Sequence, residues 1–252
     1  MGKILWLASY PKSGNTWLRV FLANYAQSGG KPFDINRLPD VSFSDSRAAY
    51  FEQIAGCPPD ELTFEAVHRL RPDVQRLLVQ ARTDQVWVKT HSAVAVLDDV
   101  PTIVPELTSA AIYVVRNPLD VVVSFAHHYG LPMDRAVRAI GFRELKTSPQ
   151  DGMVAQFLSD WSSHAKSWLT ATRYCVHVVR YEDMIARPLR TFAEIVRGRD
   201  CAWTGSSSVA RSGAATSRCW QNRNIRRVLS RHHEKTKSAF SAAGRLAHGV
   251  KN

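Results

Sequence analysis

The stretch ILWLASYPKSGNTWLRVFLANY, residues 4–25, decides the fold. It opens on a short apolar run of strand type. From Asn15 onward Trp17, Leu18, Phe21, Leu22 and Tyr25 recur at i, i+3, i+4 spacing, the period of an amphipathic helix. Between the two lies Pro11-Lys12-Ser13-Gly14, a turn carrying a cation. In a strand–turn–helix unit of this kind, the backbone N–H groups of Gly14, Asn15 and Thr16 and the helix dipole suit a phosphate, and Lys12 adds a point charge. The order is not that of an ATP loop. GxxxxGK[ST] places glycines before the lysine and a magnesium-holding hydroxyl after it. Here Lys12-Ser13 precede Gly14, and the nearest upstream glycine is Gly2. The plainer alternative is a Pro-Lys-Ser-Gly turn that only caps a helix.

Working outward, the pattern predicts strands at 3–8, 85–91, 110–116 and 175–184. Helices are expected at 15–27, 47–55, 63–68, 72–82, 117–130 and 151–171, with another beginning over 188–197, and residues 28–47 read as loop. Asn117 is placed as an N-cap, with Pro118 at the first helical position. Strands alternating with helices predict an α/β fold, a three-layer sandwich with a central parallel sheet of P-loop NTPase-like type. In such sheets ligands bind beyond the carboxyl ends of the strands. Those ends deliver Lys12 and Ser13, then Lys89 to His91, then Arg116, then Tyr181, Glu182 and Asp183. Salt bridging to Arg180 or Arg116 is the default role for Glu182 and Asp183, and core packing for Trp161 and Trp168.

The chain has 252 residues, 45% hydrophobic and 22% charged, enough for one large domain with a real core. No apolar run is long enough to span a bilayer. The N-terminus makes a poor signal peptide, so a cytoplasmic protein without a transmembrane segment is expected. Cys57, Cys175, Cys201 and Cys219 form no CxxC pair, which indicates neither a zinc site nor a disulfide framework. The net charge of +11 suggests nucleic acid, but its distribution argues against a specific partner of that kind. Residues 1–196 carry 21 Lys and Arg against 20 Asp and Glu, whereas residues 197–252 carry 12 against 2. The composition divides the chain into a domain at 1–197 and a basic, low-complexity, irregular tail at 198–252.

Four motifs together resemble the PAPS-dependent sulfotransferases of bacterial type. YPKSGNTW resembles their 5′-phosphosulfate loop, WVKTH the strand end bearing their catalytic histidine, VRNPLDVVVS their 3′-phosphate motif, and VVRYEDM their adenine-side strand. They recur in family order across residues 3–197. The resemblance implies PAPS as co-substrate, PAP as product and no metal. It implies that Lys12 meets the bridging oxygen, that Ser13, Gly14, Asn15 and Thr16 bind the 5′-phosphate, and that Trp17 stacks on adenine. It further implies that Arg116 and Ser124 hold the 3′-phosphate, that Tyr181 lies beside adenine, that His91 is the general base, and that Lys89 assists at the sulfuryl group. A histidine with a pKa near 7 suits removal of an acceptor proton. His127 and His128 read as structural or acceptor-side. Residues 28–82 and 127–150 are the expected acceptor-binding segments, for a small-molecule, lipid or carbohydrate acceptor bearing a hydroxyl or, second, an amine.

One departure stands out. The family's Gly-rich basic segment, RxGxxGxW, has no counterpart after Val196, and the abrupt compositional change there reads as a non-homologous or frameshifted tail. Two other readings share the strand–loop–helix physics or the charge. A P-loop nucleotide kinase would need the GxxxxGK[ST] loop and magnesium. An inactive sulfotransferase-like protein would bind through its basic tail.

Overall fold

A computed structural model describes residues 2–26 and 32–203 of the chain. Five strands form one parallel sheet in the order β2-β3-β1-β6-β7. These are β1 Lys3–Ser9, β2 Phe43–Ser44, β3 Gln85–Thr90, β6 Thr108–Val115 and β7 Cys175–Arg180. Two further strands, β4 Val96–Leu97 and β5 Val100–Pro101, pair as a small antiparallel hairpin. The helices are α1 Asn15–Ala26, α2 Leu38–Val41, α3 Ala48–Ala55, α4 Phe64–Gln80, α5 Pro118–Tyr129, α6 Met133–Ile140, α7 Trp161–Leu169, α8 Tyr181–Ala186 and α9 Pro188–Trp203.

Alternation along the central strand creates three layers. Ile4, Trp6 and Ala8 of β1 face a core completed by Phe51, Val74, Leu78 and Trp168 from α3, α4 and α7. Leu5 and Leu7 face the other way, onto Leu18, Phe21, Phe192 and Ile195 from α1 and α9. Each such side chain, wholly removed from water, contributes roughly 1.5–3 kcal/mol. A third cluster, with Tyr10, Val121, Phe125, Ala136 and Leu158, seats α5 and α6 beside the carboxyl end of β1. Among the described residues no helix is long and apolar enough to cross a membrane.

The α/β parallel-sheet expectation holds, with corrections to individual elements. Residues 28–47 are not all loop: α2 lies there, and β2 adds a fifth strand that pairs with β3. Two residues are too few to print an alternating pattern. The expected helices at 63–68 and 72–82 are one, α4, with Pro72 inside it. Proline removes one helical N–H, but Val67, Arg71, Val74 and Leu78 bury a face that runs through the break. The strand expected over 175–184 stops at Arg180, and α8 begins with Glu182 and Asp183 in its first turn, where acidic groups favour a helix.

The helix expected over 151–171 is confined to Trp161–Leu169. Asp160 caps it, its Oδ1 accepting from the Ser163 N–H at 2.8 Å. Upstream, Asp151 and Gly152 both have positive φ, and Gln150 and Met153 exchange two backbone hydrogen bonds across them. That tight turn excludes helix. The boundary drawn after residue 197 falls inside α9, and the basic tail from 204 lies outside the described residues.

Candidate active site

The strand ends meet at a cavity of about 430 Å³. Its wall includes Lys12, Gly14, Asn15 and Thr16 from the β1–α1 turn, Lys89 and His91 from the end of β3, Arg116 beyond β6, and Tyr181 at the start of α8. Four separate stretches of sequence thus converge on one space. Ser13, Trp17 and Ser124 are off this wall. Ser13 is fully buried and its Oγ has no hydrogen-bond partner. Trp17 meets Tyr181 and Phe192 edge-on, with ring centroids 6.2 and 5.4 Å apart. Ser124 sits on α5, half-buried.

The turn itself is held in an unusual shape. Lys12 has φ of 67° and Gly14 of 100°. A Cβ at Gly14 would stand 2.5 Å from Tyr181 Cδ2, so only glycine allows this approach. Asn15 ties the turn back to its strand, its Nδ2 donating to the Leu7 carbonyl at 2.8 Å. Arg116 Nη1 donates to the Lys12 carbonyl at 2.9 Å, and its guanidinium lies over the Tyr181 ring, 4.5 Å from the centroid. Arg116 therefore braces the backbone of the residue beside it as well as charging the cavity.

Lys12, Lys89 and Arg116 take part in no ion pair among the described residues. Burial and the nearby Arg116 lower the pKa of Lys12. Burial, then Arg19, lower that of Lys89, against the opposing pull of Asp45. Three cations on one cavity wall, none of them in an ion pair among the described residues, make a space suited to an anion. The acidic neighbours are engaged elsewhere. Glu182 accepts from the Asn117 N–H at 2.8 Å and pairs with Arg180, while Asp183 pairs with Arg187.

His91 is half-buried on the cavity wall. Its Nδ1–H donates to the Ser9 carbonyl at 2.7 Å, which leaves the lone pair on Nε2. Burial, then Lys89, push its pKa well below the usual imidazole value, so the ring is neutral at pH 7. Its own carbonyl is held from behind by His164, whose Nε2–H donates to it at 3.0 Å. His164 Nδ1 in turn accepts from the Tyr113 hydroxyl at 3.0 Å. His164 is fully buried and its pKa is pushed down to about 4. Trp168 Nε1 donates to the Ser92 carbonyl and Ser167 Oγ accepts from the Val94 N–H. Helix α7 thus grips the backbone of residues 91–94 at three points.

The sequence reading passed over His164 and Tyr113, and of the cavity's remaining wall it singled out only His128, within the two expected acceptor segments. That wall comprises Ser46, His128, Tyr129, Thr147, Ser148, Gln150, Asp151, Met153, Val154 and Gln156. Both expected segments, 28–82 and 127–150, reach it, and the turn at 150–153 extends it. Behind it lies a buried ion pair, Arg71 to Asp45, 3.7 Å apart. Asp45 also accepts from Thr90 Oγ1 at 2.8 Å and from Gln156 Nε2 at 3.0 Å. Arg71 donates to the Ala155 carbonyl. Asp160, just before a Trp-initiated helix, was a readable cap signal for where this wall ends.

The sulfotransferase domain family matches residues 3–210, so the chain belongs to that family. Sulfotransferase 1A1 of Mus musculus is 25% identical over 206 residues, covering 75% of this chain and 57% of its own length. Sulfotransferase 1B1 of Canis lupus familiaris is 27% identical over 200 residues, with coverage of 76% and 57%. The chain thus spans 57% of the length of these curated relatives. Among solved structures, mouse sulfotransferase SULT7A1 complexed with PAP superposes with a TM-score of 0.44 at 19% identity, covering 88% of this chain and 64% of that one. Retinol dehydratase in a complex with retinol and PAP gives 0.47 at 16% identity, with coverage of 89% and 63%.

Proposed function

We propose that this chain is a PAPS-dependent sulfotransferase of the cytoplasm that transfers a sulfuryl group to an acceptor hydroxyl. The observation carrying this reading is the convergence of three cations without ion pairs and a neutral histidine on one cavity, beyond the carboxyl ends of a parallel sheet. Lys12, Gly14, Asn15 and Thr16 fit the 5′-phosphosulfate end of the donor, and the backbone of Ser13 belongs to the same cradle. Arg116 fits its second anionic end, with Ser124 two turns along α5 and Tyr181 and Trp17 on the adenine side. The donor set is amine, guanidinium and backbone N–H throughout, which suits phosphate and sulfate oxygens directly.

His91 acts as general base. Its free Nε2 takes the acceptor's hydroxyl proton while the acceptor oxygen forms a bond to sulfur. The bond from sulfur to the phosphate oxygen breaks, and its electron pair leaves on PAP. Lys12 and Lys89 meet the negative charge that grows there. The tail at 198–252 is a separate basic region in this reading. The experiment is calorimetry of the full chain with PAP and with ATP, with and without magnesium. Magnesium-independent PAP binding in preference to ATP is the expected result. A folded protein that ignores PAP overturns the reading, and magnesium-dependent preference for ATP replaces it with a phosphotransferase.

A further inference from the structure

We infer that the cavity wall contributed by Ser46 and residues 128–156 takes a hydrophilic, polyhydroxylated acceptor of carbohydrate type, and excludes flat phenols and sterols. This inference rests on the sulfotransferase reading of the same cavity. The lining falls into two sets by chemistry. One carries the cations Lys12, Lys89 and Arg116. The other presents Ser46, His128, Thr147, Ser148, Gln150, Asp151 and Gln156. Two of its described residues, Met153 and Val154, are aliphatic, and Tyr129 adds one aromatic ring.

Part of this wall is held by hydrogen bonds of its own before any acceptor arrives. The Val154 N–H donates to the Ser46 carbonyl at 2.8 Å, and the Ala48 N–H to the Gly152 carbonyl at 2.8 Å. The Thr147 N–H donates to the Gln156 carbonyl, and the Gln156 N–H donates back to Thr147 Oγ1, both at 2.9 Å. Thr147 Oγ1 thereby spends acceptor capacity on the wall and keeps its own O–H to donate. Gln156 is held through Nε2 by Asp45, itself anchored by buried Arg71. Ser46, Thr147 and Gln156 are thus tied to the core, and Ser148, Gln150 and Asp151 extend the polar lining outward as exposed residues.

An apolar acceptor seated here would strip water from those groups and return nothing. Each buried donor or acceptor left unpaired carries a penalty, which is how polar sites reject analogues lacking a hydroxyl. A sugar replaces the water group by group, with its own hydroxyls donating and accepting. Asp151 makes no ion pair among the described residues. As a carboxylate it can accept from two sugar hydroxyls. An aromatic acceptor would want its ring sandwiched between apolar faces, and Tyr129 and Met153 are the available pieces.

The test uses the full chain. PAP binding is measured first by calorimetry, which decides the underlying reading independently. PAPS is then supplied with trehalose, N,N′-diacetylchitobiose, 4-nitrophenol or dehydroepiandrosterone, and PAP release is followed. Turnover of at least one sugar, at a kcat/KM about tenfold or more above either apolar acceptor, is expected. The double change Thr147→Val with Gln150→Leu should lower the sugar-to-phenol ratio of kcat/KM by about tenfold or more while PAP affinity stays within about twofold. Turnover confined to 4-nitrophenol or the sterol overturns the inference. So does PAP binding without turnover of either sugar, or a ratio that the double change leaves where it was.

Discussion

The two ends of the cavity are built on opposite principles. Among the donor-side residues, charge is left out of ion pairs and backbone is left bent: Lys12, Lys89 and Arg116 make no ion pair among the described residues, and Lys12 and Gly14 have positive φ. At the far wall, charge is buried and paired, and the visible surface is neutral amide and hydroxyl apart from Asp151 and His128. The first arrangement stores electrostatic readiness for an anion. The second stores shape. Under the sulfotransferase reading proposed above, an anionic donor calls on the first and a discriminated acceptor on the second, and both sets line one cavity with His91.

The change expected to break the donor end most completely is His91→Ala. It should reduce turnover by about 10²- to 10⁴-fold, the range for loss of a general base. PAP affinity should hardly move, because the donor cations remain. Single-turnover kinetics beside PAP calorimetry checks this, and an equal loss in both would mean that His91 is part of the anion cradle. At the far wall the matching change is Asp45→Ala. It strands Arg71 in the core and frees Gln156 and Thr90, at a cost of about 3–5 kcal/mol in stability. Urea unfolding measures it. The comparison sharpens if the folded variant keeps PAP affinity and loses acceptor discrimination.

The legibility of the two ends in the sequence differs for the same physical reason. The donor end is local: strand, turn, cation and helix follow one another within residues 3–26, so spacing alone exposes it. Lys89, His91 and Arg116 each follow an apolar strand, and parallel strands bring such ends together. The far wall is non-local. Asp45, Arg71 and Gln156 lie far apart in sequence and announce nothing by period. His164 reads as a helix residue among others until its ring is seen under the His91 carbonyl. Residues 151–160 are irregular although Met153, Phe157 and Trp161 share the helical spacing that predicts helix there, and the Pro-Gln-Asp-Gly turn at 149–152 is the stronger signal.

Gly14→Ala tests the bent backbone rather than the charge. The added Cβ would meet Tyr181, and the left-handed φ costs an alanine about 1–3 kcal/mol. PAP affinity should fall by about 5- to 150-fold, with the thermal midpoint lowered little if the turn relaxes locally. Unchanged affinity would show that the cation set alone holds the donor and that the shape of the turn is dispensable.

The mildest perturbation is pH. An unfolded histidine titrates near 6.5, whereas His91 resists protonation well below that value and His164 until about 4. Below pH 6.5 the unfolded chain therefore binds protons that the native state refuses, and stability falls as pH falls. The slope is about 1.4 kcal/mol per pH unit for each such histidine. For His164 the loss begins near the unfolded value and ends at its native one. Turnover follows the same sign for a separate reason: kcat/KM should rise through the depressed pKa of His91 and already be level at pH 7, with proton uptake at lower pH removing the Nε2 lone pair. His164→Gln tests both effects. A glutamine amide can still donate to the His91 carbonyl but does not titrate. The acid slope of stability should flatten by one histidine's share, and the kcat/KM midpoint should rise, because His164 is among the groups that hold the His91 pKa down. A midpoint that stays where it was would mean that the histidine beneath the loop positions the base without tuning it.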